Sequence, residues 1–147
     1  MTRTRLVLLL VVAAGGLAWL VERLIVTDAE AIESTVERLA AHASTGRWAD
    51  FEALLSDDFD SPWGDKGKFP KAVADLMKRF DVKRATVTLG QVTVRGDRGA
   101  AAVTVRGSGA ASGFPVPGRV DLVKTSDGWR VEGVTSDLDA SGWRRVR

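Results

Sequence analysis

Few residues of this chain have the chemistry to act on a substrate. Among 147 residues there is a single histidine, His42, and no cysteine or tyrosine. Disulfides, lipoprotein-type acylation of a thiol and phenolic donors are therefore excluded. Asp57, Asp58 and Asp60 form a carboxylate cluster of the kind that holds a metal or runs acid/base chemistry. Their spacing around Phe59 matches no calcium loop, and the cluster reads instead as the solvated end of a helix. Arg119 and Asp121 fall on one face of a strand pattern, either as an inward ion pair or, more simply, as a surface pair. Gly107-Ser108-Gly109 through Gly113 lacks the lysine and the strand-to-helix context of a phosphate loop. Trp48, Phe51, Phe59, Trp63 and Phe80 are aromatics at or near helical spacing, which makes them core residues first. No metal site and no cofactor is expected.

The elements that must position these residues begin with an apolar run. Arg3 and Arg5 precede an uncharged stretch from Leu6 to Val21, after which Glu22 and Arg23 interrupt and Leu24 to Val26 resume. At about 1.5 Å per residue the uncharged stretch spans about 24 Å, short of the roughly 30 Å hydrocarbon core. Leu24 to Val26 close that gap if Glu22 and Arg23 snorkel. A basic start and a short apolar run also describe a cleavable signal peptide, with small residues at Gly16-Leu17-Ala18. No clean Ala-x-Ala step follows, and Trp19 and Leu20 extend the run, so residues 1–26 are expected to be an uncleaved single-pass anchor. With Arg3 and Arg5 held inside, the following domain lies on the outer, extracytoplasmic side of a bacterial cytoplasmic membrane.

Residues 27–136 suffice for one domain with one core, and 137–147 read as a weakly structured tail. The net charge of +2 conceals an asymmetry: residues 28–65 carry two basic and ten acidic side chains, and 66–147 carry sixteen basic and eight acidic ones. Such a dipolar domain suits self-association or an oriented partner, and no nucleic-acid footprint is present. Solvated faces of ordinary elements give the simpler account of the same charges.

Thr27-Asp28-Ala29-Glu30 has the form of a capping box and predicts that a helix starts there. Ile32, Val36, Leu39, Ala40 and Ala43 trace its buried face, and Gly46 stops it. His42 lies roughly 100° around that helix from the stripe, at the edge of the buried face. A second short helix buries Trp48, Phe51, Leu54 and Leu55, and a third starts near Pro70 with Val73, Leu76, Met77 and Phe80 on one side. From Arg84 the period changes to two. The phase slips across Gly90-Gln91, as a bulge would require, and hairpin loops are expected at Gly96-Asp97-Arg98-Gly99 and Asp127-Gly128. Residues 107–113 read as a loose strand end or loop, and Phe114 to Gly118 as a rigid turn or edge. Val123 and Lys124 break the alternation set by Val120 and Leu122, which leaves the covered face of that strand open. The pattern is α+β: three helices on one face of a strongly curved antiparallel sheet, preceded by one transmembrane or signal helix.

Three stretches carry a resemblance to a known superfamily. They are Gly46-Arg47-Trp48 through Phe51 and Leu54-Leu55 to Asp57-Asp58-Phe59, then Gly96-Asp97 with Ala100 to Val105, and last Asp127 to Val131. In this order they resemble the nuclear transport factor 2-like superfamily, which includes SnoaL-like cyclases and relatives of ketosteroid isomerase. The likeness covers about residues 28–136. It implies a cone-shaped fold with a pocket at the open end, frequent dimerisation through the outer sheet face, and many catalytically silent members.

The resemblance also implies where a site would be. Trp48, Phe51, Phe59, Trp63 and Phe80 lie in the elements that surround the cone's mouth in relatives, and Asp121 would join them if it faced inward. Enzymes of the superfamily place an aspartate or histidine base opposite tyrosine or protonated-acid donors. This chain has no tyrosine, and His42 reads as a boundary residue over a base. The function expected is therefore a membrane-tethered, non-catalytic module binding a partner protein, such as an envelope component or a second copy in a homodimer, or a small apolar ligand. The alternative is an isomerase, dehydratase or cyclase using Asp121 or His42 as base. A secreted domain with a cleaved signal is the third reading.

Overall fold

The computed structural model describes residues 3–109 and 115–136, and for 22–27 the backbone alone. The elements run α1 (Arg3–Thr45), α2 (Trp48–Ala53), β1 (Leu55–Asp60), α3 (Phe69–Arg79), β2 (Val82–Arg95), β3 (Arg98–Gly109), β4 (Val116–Thr125) and β5 (Gly128–Ser136). Residues 110–114, expected to continue a loose strand end or loop and to open a rigid turn or edge, and the tail 137–147 lie outside the described residues.

The apolar run and the first helix of the domain are one element. α1 is a single α-helix of 43 residues, and the helix start expected at Thr27 does not occur. The reason is hydrogen-bond supply. A capping box answers orphan N–H groups at a helix start, but here the carbonyls of the preceding helical turn already accept from them. No Gly or Pro between Glu22 and Asp28 interrupts the run. α1 ends where expected, with Gly46 at φ 70° and the Arg47 N–H donating to the His42 carbonyl at 2.9 Å.

α2 is as short as its stripe allowed, but Leu55 does not belong to it. Leu55 opens β1, which runs parallel to β5 with Leu55 opposite Val131, and the Val131 N–H donates to the Leu54 carbonyl at 2.8 Å. Asp57 and Asp58 are therefore exposed positions of a strand and not a helix end, while Leu55 and Phe59 point to the core. Tertiary pairing outweighs the poor strand propensity of two adjacent aspartates. Pro70 sits in the first turn of α3 as predicted.

The sheet order is β1-β5-β4-β3-β2, antiparallel except for β1 against β5. In the β2–β3 ladder Leu89 faces Val103 while Val92 faces Ala101, so one extra residue sits at Gly90-Gln91, as the slipped phase predicted. Tight two-residue loops, Gly96-Asp97 and Ser126-Asp127, close the two hairpins. Of the rigid turn or edge expected over Phe114 to Gly118, the part from Val116 on is a strand, with Val116 paired to Val105. Pro117 faces Thr104, and pairing with β5 is described only from Gly118, so the missing N–H costs no ladder bond.

The core lies between α1 and the inner sheet face: Ile32, Val36 and Leu39 against Val103, Val120, Leu122, Trp129 and Val131, closed at one end by Leu55, Phe59 and Phe69. Gly99 lets α1 approach the sheet closely, since a Cβ there would stand 2.6 Å from Ile32 Cδ1. Lys124 resolves the alternation puzzle. It keeps to the inner side, where its ammonium reaches Asp28 Oδ1 at 3.0 Å and lies 6.0 Å from the Trp129 ring centroid. At the other end, Ser44 Oγ accepts from the Ala85 N–H at 2.9 Å and donates to the Ala85 carbonyl at 3.1 Å, so α1 caps the open edge of β2.

Candidate functional site

Between α1, α3 and the inner sheet face lies a pocket of about 270 Å³. Val36, Leu39, Ala40 and Ala43 form its α1 wall, and Phe69, Ala72, Val73 and Leu76 its α3 wall. Val87, Val103, Val105, Val116, Val120 and Val134 supply the sheet side. The space exists because facing positions carry small residues. Ala40, Ala43, Ala72, Ala85 and Gly118 converge there from α1, α3, β2 and β4, and none fills the gap that larger side chains would close. The lining is aliphatic and aromatic, with Thr135 and Ser136 as its polar members among the described residues. The Ser136 hydroxyl donates to the Pro117 carbonyl at 3.2 Å.

Of the aromatics expected at the cone's mouth, Phe51 and Trp63 line this pocket. Phe59 is buried beside it, its ring 4.8 Å from that of Phe69, which also stacks obliquely with Phe51 at 5.8 Å and Trp63 at 6.4 Å. Trp48 is half-buried and meets Phe51 edge-on at 5.4 Å. Phe80 is half-buried just beyond α3, away from the lining. Phe69 is the centre of the aromatic cluster, and sequence reasoning missed it. Its place ahead of Pro70, at the start of the α3 stripe, was the available signal.

Asp121 does not join these residues. With Val120 and Leu122 buried, alternation along β4 sends it to the outer sheet face, where its carboxylate accepts from Arg119 Nε at 2.9 Å and stays 40% exposed. There it borders a different hollow, open and about 760 Å³, floored by Ala100, Ala102 and Gly133 and rimmed by Arg95, Arg98 and Glu132. Arg98 is ion-paired with Glu132, whose hydrogen bond holds the guanidinium proton more firmly than usual. His42 is half-buried on α1 and lies outside the lining of the apolar pocket. Neither candidate base thus stands where an apolar substrate would sit. Asp57 pairs with Lys66 at 3.0 Å, and no group of three or more metal-ligating side chains occurs among the described residues.

Residues Arg3–Val21 of α1 are long and apolar enough to cross a membrane, and none of them is buried against the rest of the chain. Leu6, Val7, Leu8 and Leu9 each leave half or more of their surface exposed, so the globule gives this stretch no cover.

This geometry can be set beside known structures. An NTF2-like protein with a cystatin-like fold from Novosphingobium aromaticivorans is similar over 87% of this chain and 95% of its own, with a TM-score of 0.61 at 21% identity. A Streptomyces avermitilis protein of the NTF2-like family, described as a candidate dehydratase, is similar over 75% of this chain and 94% of its own, with a TM-score of 0.61 at 17% identity. Bd1075 of Bdellovibrio bacteriovorus matches over 71% of this chain with a TM-score of 0.58 at 11% identity, and the matched part is 38% of its length. No protein-family model and no curated protein matches the sequence. Helices packed on a curved, mostly antiparallel five-stranded sheet have the nuclear transport factor 2-like fold, here carrying an apolar helix at the amino end. At these identities the likeness defines the fold, and proteins of this fold include enzymes as well as proteins of unknown function.

Proposed function

We propose that the protein is a membrane-tethered, non-catalytic binding module, held on the outer side of the cytoplasmic membrane, that receives a partner protein or a small apolar ligand. The observation that carries this reading is the continuity of α1. The exposed apolar stretch Arg3–Val21 passes without a break into the helix that packs Ile32, Val36 and Leu39 under the sheet. Lipid is the environment that satisfies those side chains, and Arg3 and Arg5 favour a cytoplasmic start. The apolar pocket supports binding over catalysis, because both residues proposed as bases, Asp121 and His42, lie outside its lining.

The test is the state of the mature chain. Mass measurement of the purified protein is expected to show residues 1–26 retained, with the protein in the membrane fraction and resistant to alkaline carbonate extraction. Protease added outside intact spheroplasts is expected to digest the domain. A soluble product starting beyond Ala18 overturns the tether. An isomerase-type activity lost in both Asp121→Asn and His42→Gln would replace the binding reading by a catalytic one.

A further inference from the structure

The direction from which the pocket is filled follows from the single helix. α1 supplies both the apolar anchor, which in the sequence runs on to Val26, and the pocket wall from Val36 to Ala43. Counted from Val26, the last residue of the anchor, that wall stands about 15 to 26 Å further along at about 1.5 Å per residue. The bilayer's polar layer accounts for only about 5–8 Å on each side, and a tilt of about 20°, or even 40°, shortens the climb by less than a quarter. The sheet agrees: the hairpin tips at Gly96-Asp97 and Ser126-Asp127 share the end of the domain where Asp28 meets Lys124, while Val105, Val116 and Ser136 lie at the opposite ends of their strands. The Lys124 N–H donates to the Asp97 carbonyl at 2.8 Å, which fixes both tips at that near end. Val105, 37% exposed, lies at the far end and lines the pocket.

Resting on the tethered reading above, we propose that the pocket takes a small, uncharged, apolar molecule arriving through water, and not the acyl chain of a lipid resident in the bilayer beneath it. A lipid held by its headgroup would have to draw its acyl chain out through water to reach Val36, and no ionisable side chain among the described lining residues would pair a charged ligand once buried. A cavity of about 150 Å³ lined by such side chains suffices for benzene, so about 270 Å³ fits one or two rings or a short branched chain.

Trp63 lines the pocket and provides the readout. The full chain is placed in phosphatidylcholine vesicles, and emission of the Trp63→Phe variant is subtracted from that of the wild type to isolate the Trp63 component. Bromobenzene is expected to quench that component saturably. Ala72→Phe, which fills the pocket, abolishes the saturable phase, and Val105→Phe at its far end does the same should the first variant fold poorly. 4-Bromobenzoate leaves the component unchanged, as do lipids brominated on their acyl chains. The proposal is overturned if the brominated lipids quench Trp63, if the charged and neutral probes act alike, or if the filled variants still saturate. The component of Trp19, isolated through Trp19→Phe, reports the tether separately: failure of brominated lipids to quench Trp19 removes the membrane reading and not the pocket.

Discussion

Asp28 joins three parts of the molecule through one carboxylate. It accepts from Lys124 Nζ at 3.0 Å and from Trp129 Nε1 at 3.3 Å, tying α1 to β4 and β5. The Lys124 hydrogen bond is the largest influence and holds the Asp28 carboxyl below the usual carboxylate range. A lowered folded-state pKa means the pair stabilises the fold above the ordinary carboxylate value of about 4, and this contribution is lost as pH falls through the lowered value. Both side chains are partly exposed, at 29% and 49%, so the effect is at most about 1 kcal/mol. Asp28→Asn, which can still accept from Trp129, is expected to lower the melting temperature slightly at pH 7 and to flatten its decline between pH 5 and 3 relative to wild type. Ile32 is fully buried, and Ile32→Ala is expected to cost about 2–5 kcal/mol in denaturant titration. Gly99→Ala pushes a methyl into Ile32 and the Trp129 ring, with an expected loss of about 1–3 kcal/mol by the same measurement.

At the scale of elements, the β2 bulge sets which residues face the core. Deleting Gln91 leaves Val92 two positions after Leu89 and still opposite Ala101, so regular alternation keeps Val92 and Val94 on the core face and only the bend is lost; the variant is expected to retain cooperative thermal unfolding. Ser44→Ala leaves the Ala85 edge groups to water, with an expected cost of about 1 kcal/mol. The bulge was legible in the sequence, as were the hairpin loops, the α3 start at Pro70 and the helical stripes, because each depends on neighbours a few positions away. β1 was not legible: Asp57-Asp58 looks like solvated chain, and only pairing with β5, some seventy residues later, makes it a strand. The outward aim of Asp121 was written in its flanking Val120 and Leu122, but Val123 and the inward-turning Lys124 obscured that alternation. A pocket beside Phe51 and Trp63 was implied by the resemblance alone; its aliphatic walls were beyond the pattern of the residues, since the space arises where Ala40, Ala72, Ala85 and Gly118 meet from four separate elements.

Over the whole molecule, a charge-asymmetric chain folds into one sheet-and-helix unit at the end of a rod. The near end is locked by Asp28, Lys124 and Trp129, and the apolar pocket sits toward the far end. Because α1 has no joint between its two halves, the domain inherits the azimuth of its anchor as a weathervane does from its shaft. One residue inserted between Val21 and Asp28 would turn the domain by about 100° and raise it about 1.5 Å, whereas seven would raise it about 10 Å and restore nearly the original bearing. Crosslinking of the full chain to a neighbouring envelope protein is therefore expected to fall with the single insertion and to recover with the sevenfold one if the neighbour reads compass direction, and to do the reverse if it reads altitude.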